Sequence, residues 1–110
     1  MSASVNGDSI SLTRGDSLIL NVQITRNGDV YEPAEGDVIR FALSKDTKGT
    51  SEPIILKNID PTAMRLVLNP EDTKTLDYGT YVYDIELRTK EGFVDTFIGP
   101  AKFKITEEVY

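Results

Sequence analysis

Cysteine, histidine and tryptophan are absent from this 110-residue chain. Without cysteine there is no disulfide framework, no thiol nucleophile and no thiolate metal site. Without histidine there is no imidazole base near neutral pH and no imidazole metal ligand. Basic residues are also short: 12 Lys and Arg stand against 18 Asp and Glu, a formal charge of −6. Residues 1–55 hold five basic and eight acidic side chains, and residues 56–110 hold seven and ten, so each half stands at −3. With no basic tail or block to neutralise phosphates, nucleic-acid binding is not expected, and the acidity reads as solubility. No run approaches the ~18 apolar residues of a membrane helix, so no membrane partner is expected either. The start, Met1 to Asp8, has neither a basic n-region nor an apolar h-region, which argues against a Sec signal peptide.

These absences remove most enzyme classes. The expectation is one domain over residues 1–110, with a core at 9–106 and flexible ends at 1–8 and 107–110. Because the chain begins with Met, it is expected to be a complete product made in a cytoplasm.

What is present is a period of two. Ser9–Thr13 alternates polar and apolar residues, and Leu18, Leu20, Val22 and Ile24 share one face of Ser17–Thr25. Asn27-Gly28 then predicts a hairpin, because both central residues tolerate positive φ, with Val30-Tyr31 as its return arm. Ile39, Phe41 and Leu43 mark the next strand, followed by the polar loop Lys45–Glu52, strand 54–59, the Asp60-Pro61 turn and strand 64–68. Asn69-Pro70-Glu71-Asp72 has the cap, first-turn proline and acidic first turn of a helix, predicted to be brief and to end near Leu76. Tyr81, Tyr83, Ile85 and Leu87 face one way on the longest strand. Phe93–Ile98 follows, Gly99-Pro100 interrupts, and Ala101–Thr106 is the last strand.

About eight short strands with turns every 8–12 residues predict an antiparallel sandwich or barrel. Asp77-Tyr78-Gly79-Thr80-Tyr81-Val82-Tyr83 narrows this. It resembles the Asp-x-Gly/Ala-x-Tyr-x-Cys segment of immunoglobulin-like domains, whose tyrosine bonds back across the preceding corner. Tyr81 matches that tyrosine, and Tyr83 stands where the second cysteine would be. Asp77, Gly79, Tyr81 and Tyr83 are therefore a structural corner. The predicted fold is an all-β, immunoglobulin-like antiparallel β-sandwich of seven to nine strands, with a short helical turn near residues 70–76.

Chemistry-bearing motifs are sparse. Arg14-Gly15-Asp16 matches the integrin tripeptide, but it falls between two strands and reads as a tight turn. Asp84 and Glu86 lie about 7 Å apart on one strand face, a spacing a glycosidase can use, yet Arg88 continues the row as a solvated face would. Asn-Gly-Asp at 6–8 and 27–29 does not extend into a calcium loop. No P-loop, dinucleotide fingerprint or nucleophile elbow occurs. No catalytic, cofactor-binding or metal residues are assigned, and no small-molecule ligand is expected. Tyr31, Tyr78, Phe93 and Tyr110 are the aromatics least committed to a core, and the absence of tryptophan disfavours a sugar platform. The candidate contact loops hold Arg14, Gly15, Asp16, Lys45, Lys48 and Glu52.

Several stretches, among them Ile10–Ser17, Glu35–Ala42, Leu68–Leu76, Tyr78–Ile85, Gly92–Ile98 and Phe103–Val109, resemble small proteins encoded by phages and prophages of Gram-positive bacteria. The resemblance spans roughly residues 9–109. The chain is also similar to the immunoglobulin-like N-terminal domain of upper baseplate proteins, without the coiled-coil or receptor-binding extension that follows in those. The resemblance implies a non-enzymatic virion component at the tail or baseplate. Its partners would be other virion proteins or further copies of itself, and it would pass from the bacterial cytoplasm into the particle. The alternative is a small glycan- or cell-surface-binding adhesion module.

Overall fold

The computed structural model describes residues 3–6, 9–26, 28–45 and 53–107. Its strands are β1 (Ala3–Asn6), β2 (Ser9–Thr13), β3 (Leu18–Asn21), β4 (Ile24–Arg26), β5 (Asp29–Tyr31), β6 (Val38–Ser44), β7 (Ile55–Ile59), β8 (Arg65–Leu68), β9 (Gly79–Arg88) and β10 (Val94–Thr106), with one helix, α1 (Pro70–Thr73), before β9.

Six strands form the larger sheet in the order β1-β2-β10-β9-β6-β7, while β3 pairs with β8 and β4 with β5. All pairings are antiparallel except β2 with β10, which run parallel with Phe103 opposite Ile10 and Ile105 opposite Leu12. Strict alternation decides which side chains go inside. Ile39, Phe41 and Leu43 of β6, Tyr81, Tyr83, Ile85 and Leu87 of β9, and Phe103 and Ile105 of β10 line the inner face of the large sheet. Leu18, Leu66 and Leu68 complete the same buried cluster from β3 and β8. The protein is thus an all-β, immunoglobulin-like sandwich: β2 parallel to the last strand, a β10-β9-β6-β7 sheet beside it, and a small second sheet packed against them.

Tyr83, at the position of the second cysteine in the motif that the corner resembles, packs among aromatic rings of its own sheet. Its ring centroid lies 5.5 Å from Phe41 and 6.0 Å from Phe103, and Phe41 and Phe103 are 6.2 Å apart. Aromatic pairs at these separations add to the burial itself.

Five features differ from the sequence expectations. Among the described residues there are ten strands rather than seven to nine. The end read as flexible over 1–8 contains β1, paired with β2 from Ala3–Leu12 to Asn6–Ser9. The run Ser17–Thr25 divides, β3 pairing with β8 and β4 turning back onto β5. The helix ends at Thr73, short of Leu76, whose N–H closes a turn onto the Thr73 carbonyl at 3.0 Å. In addition, Gly99-Pro100 does not end a strand. β10 runs through it, with the register against β9 shifting between Ile98 and Ala101. Proline brings no N–H to the ladder, so a bulge is where it fits.

That bulge lies on Asp84. A Cβ built on Gly99 would stand 2.5 Å from the Asp84 Cβ, so this backbone covers part of the carboxylate's surroundings. Burial, and then the charge of Glu86, raises the Asp84 pKa above the ordinary value. A raised carboxyl pKa favours folding with the proton on. This contribution is complete below the ordinary value of about 4 and is lost as the pH rises through the folded-state value. Asp84→Asn is therefore expected to raise the melting temperature slightly at pH 7 and to match the parent near pH 3. Thermal melts across that range check it; a parent more stable than the variant at pH 7 contradicts it.

Candidate functional site

Of the two loops with contact potential, the Arg14–Ser17 turn and Lys45, the described residue of the 45–52 loop, lie at one end of the sandwich. The Arg14–Ser17 turn joins β2 to β3, and Lys45 follows β6. Between them lies the segment from Thr73 to Tyr81 that leads from α1 into β9.

The first turn is fastened rather than projecting. The Asp16 N–H donates to the Thr13 carbonyl at 3.0 Å, closing four residues. Gly15 takes φ +84°, a conformation natural to glycine, and its N–H donates to Thr73 Oγ1 at 3.1 Å. Thr73 is fully buried, and nothing in its sequence context announces that role. The Arg14 guanidinium lies 4.3 Å from the centre of the Tyr78 ring. It also donates to the Tyr78 hydroxyl at 2.9 Å and to the Leu76 carbonyl at 3.3 Å. An arginine held over an aromatic face and by two acceptors is part of the scaffold, unlike the extended arginine an integrin motif presents.

The corner behind it has the geometry that gives tyrosine corners their name. The Tyr81 hydroxyl donates to the Asp77 carbonyl at 2.8 Å, four residues back, and the residue is 9% exposed. Burial and the Asp77 charge raise the Tyr81 pKa, and the backbone hydrogen bond opposes them. Gly79 opens β9 opposite Ile105. Tyr81→Phe removes one hydrogen bond and leaves the Asp77 carbonyl without that donor, so a loss of about 1 kcal/mol is expected. Urea unfolding measures it, and an unchanged midpoint would mean the bond is inconsequential.

A cleft of about 480 Å³ opens beside the corner, lined by residues that include Lys45, Ile54, Leu76, Tyr78 and Thr80. Ile54 is 41% and Tyr78 45% exposed, so two large apolar groups reach solvent here next to Lys45 and Arg14. Lys48 and Glu52 lie outside the described residues, as does Tyr110.

The other candidates do not converge. Glu86 accepts from Arg88 Nε at 2.7 Å, an exposed pair that continues the strand face. Phe93 is exposed beyond the far end of β9, roughly 30 Å along the strand from Tyr78. Tyr31 packs against the core at its edge, with its hydroxyl 2.6 Å from Asp37 Oδ2. These aromatics therefore form no single platform. Asp37, a buried carboxylate, also accepts the Ala34 N–H at 2.9 Å and ties the 33–37 turn together; the sequence marks the turn but not this role. Among the described residues no three Asp or Glu gather to hold a metal ion.

No family model and no curated protein matches the chain. Among solved structures it is similar to the first immunoglobulin-like domain of human CD48 antigen, at 14% identity and a TM-score of 0.44, covering 100% of this chain and 93% of that one.

Proposed function

We propose that this chain is a non-enzymatic structural and interaction module of a phage or prophage particle, associated with the tail or baseplate. The resemblance over residues 9–109 supplies the particle. The corner end supports the contact role: exposed Ile54 and Tyr78 stand beside Lys45 and Arg14 on a turn that Thr73, Leu76 and Tyr78 hold rigid. Pre-ordered apolar groups with a cationic rim suit docking onto a neighbouring protein, because little side-chain freedom remains to be lost. The immunoglobulin-like fold by itself favours no role.

Mass spectrometry of purified particles from cells that encode the chain tests this. The chain should be present in fixed ratio to the tail proteins. Its absence from particles, together with retention on host cell walls or on a glycan array, would overturn the proposal in favour of the adhesion alternative.

A further inference from the structure

We propose that the open edge of β3 pairs antiparallel with β3 of a second copy, centred on Ile19, to give a continuous four-stranded sheet β8-β3-β3-β8. It deepens the reading of this chain as an assembly module by naming one surface and its occupant, and it rests on that reading only for its purpose.

β3 pairs with β8 on one side, and among the described residues no strand pairs with its other side. The Val22 N–H donates to the Met64 carbonyl at 2.8 Å. Backbone groups alternate sides along a strand, so Leu18 and Leu20 also point theirs at β8, while Ser17, Ile19 and Asn21 point theirs outward. Protein edges are ordinarily guarded by charge, proline or a bulge. β8 carries Arg65 and is bounded by Met64 at φ 51° and by Pro70. β7 carries Lys57. From Ser17 to Thr25 there is no charged residue, proline or glycine. Ile19 is 64% exposed, and its cross-strand partner Val67 is 41% exposed.

The edge is complementary to itself. With Ile19 opposite the partner's Ile19, Ser17 meets the partner's Asn21 and Leu18 meets the partner's Leu20. The outward-pointing residues are then those that exchange both hydrogen bonds. Val67, Ile19 and their two counterparts become one apolar row across four strands, and half-buried Leu20 gains cover on the inner face. No charge opposes a charge in this pairing, although each copy carries −6 overall. A twofold contact also closes at two copies, whereas β3 against β8 of the next copy would continue without end.

Cross-linking reads the register directly, because the chain has no cysteine of its own. In a hydrogen-bonded antiparallel pair the Cα atoms are about 5.5 Å apart, within disulfide reach. Under mild oxidation of the isolated chain, Ile19→Cys should convert most of the protein to a species of twice the mass on a non-reducing gel. Val67→Cys is exposed on the same row but three strand spacings, about 14 Å, from its counterpart, and should stay monomeric. Both positions are exposed, and a thermal melt verifies folding. Equal cross-linking of the two variants, or none by either, would overturn the proposal. Because the experiment uses the isolated chain, its failure leaves the particle assignment standing, and absence from particles leaves the β3 pairing standing.

Discussion

Gly99→Ala is expected to destabilise the protein by about 3–5 kcal/mol, more than any other glycine replacement in the described residues. The new Cβ would meet the Asp84 Cβ at 2.5 Å and the Asp84 Cα and Tyr83 carbonyl oxygen at 2.8 Å. Two of these three contacts are backbone, so rotating a side chain cannot relieve them. The bulge also holds φ at +117°, which an L side chain rarely adopts. Gly15 gives the contrast: its φ is +84°, but nothing lies within 4 Å of the added atom. Gly15→Ala should therefore show only the conformational cost, about 1–2 kcal/mol. Urea midpoints of the two variants, with unchanged slopes, separate strain from collision. Similar midpoints would mean that β10 moves off β9 without difficulty.

Phe41→Ala should cost about 3–5 kcal/mol. Phe41 is fully buried and touches both other members of the central aromatic group, so truncation leaves a cavity between Tyr83 and Phe103. A domain of this kind has about 5–15 kcal/mol in total, and no disulfide restrains its unfolded state. The variant should then be largely unfolded at temperatures where the parent is folded. Phe93→Ala, at a position 53% exposed, should change stability by no more than about 0.5 kcal/mol. Circular dichroism melts of the pair decide it, and a Phe41→Ala melt within a few degrees of the parent would contradict a core that holds by packing alone.

Much of this architecture is legible in the residues because it is written locally. The two-residue period of β6 and β9 selects the inner face without knowledge of partners. Asp77 to Tyr83 encodes the corner in one stretch of chain, including the hydroxyl's return to Asp77. Pairing choices are less legible, since alternation says which face is apolar but not which strand lies alongside. Leu18, Leu20, Val22 and Ile24 hold one face throughout Ser17–Thr25, and only the fold divides the run between β8 and β5. Gly99-Pro100 has the composition of a strand end, yet a bulge accommodates both residues. Ala3–Asn6 is too short and too mixed to show a period, and its strand character comes from β2 beside it. The corner end was half legible. Arg14 to Asp16 and Lys45 are visible as turn residues, but nothing in one dimension places them beside Tyr78, and the part played by Thr73 exists only once the Gly15 N–H reaches it.

Central to the proposed function is a corner end that serves as a contact surface within a particle. Lysine-directed cross-linking of intact particles, read by mass spectrometry, tests this, because suitable lysines lie at both ends. Lys45 lines the corner cleft, whereas Lys90 lies beside Gly36 at the opposite end. The expected result is a set of links from Lys45 to a tail or baseplate protein, with few or none from Lys90. Links from Lys90 alone, or particles that do not contain the chain, would contradict it.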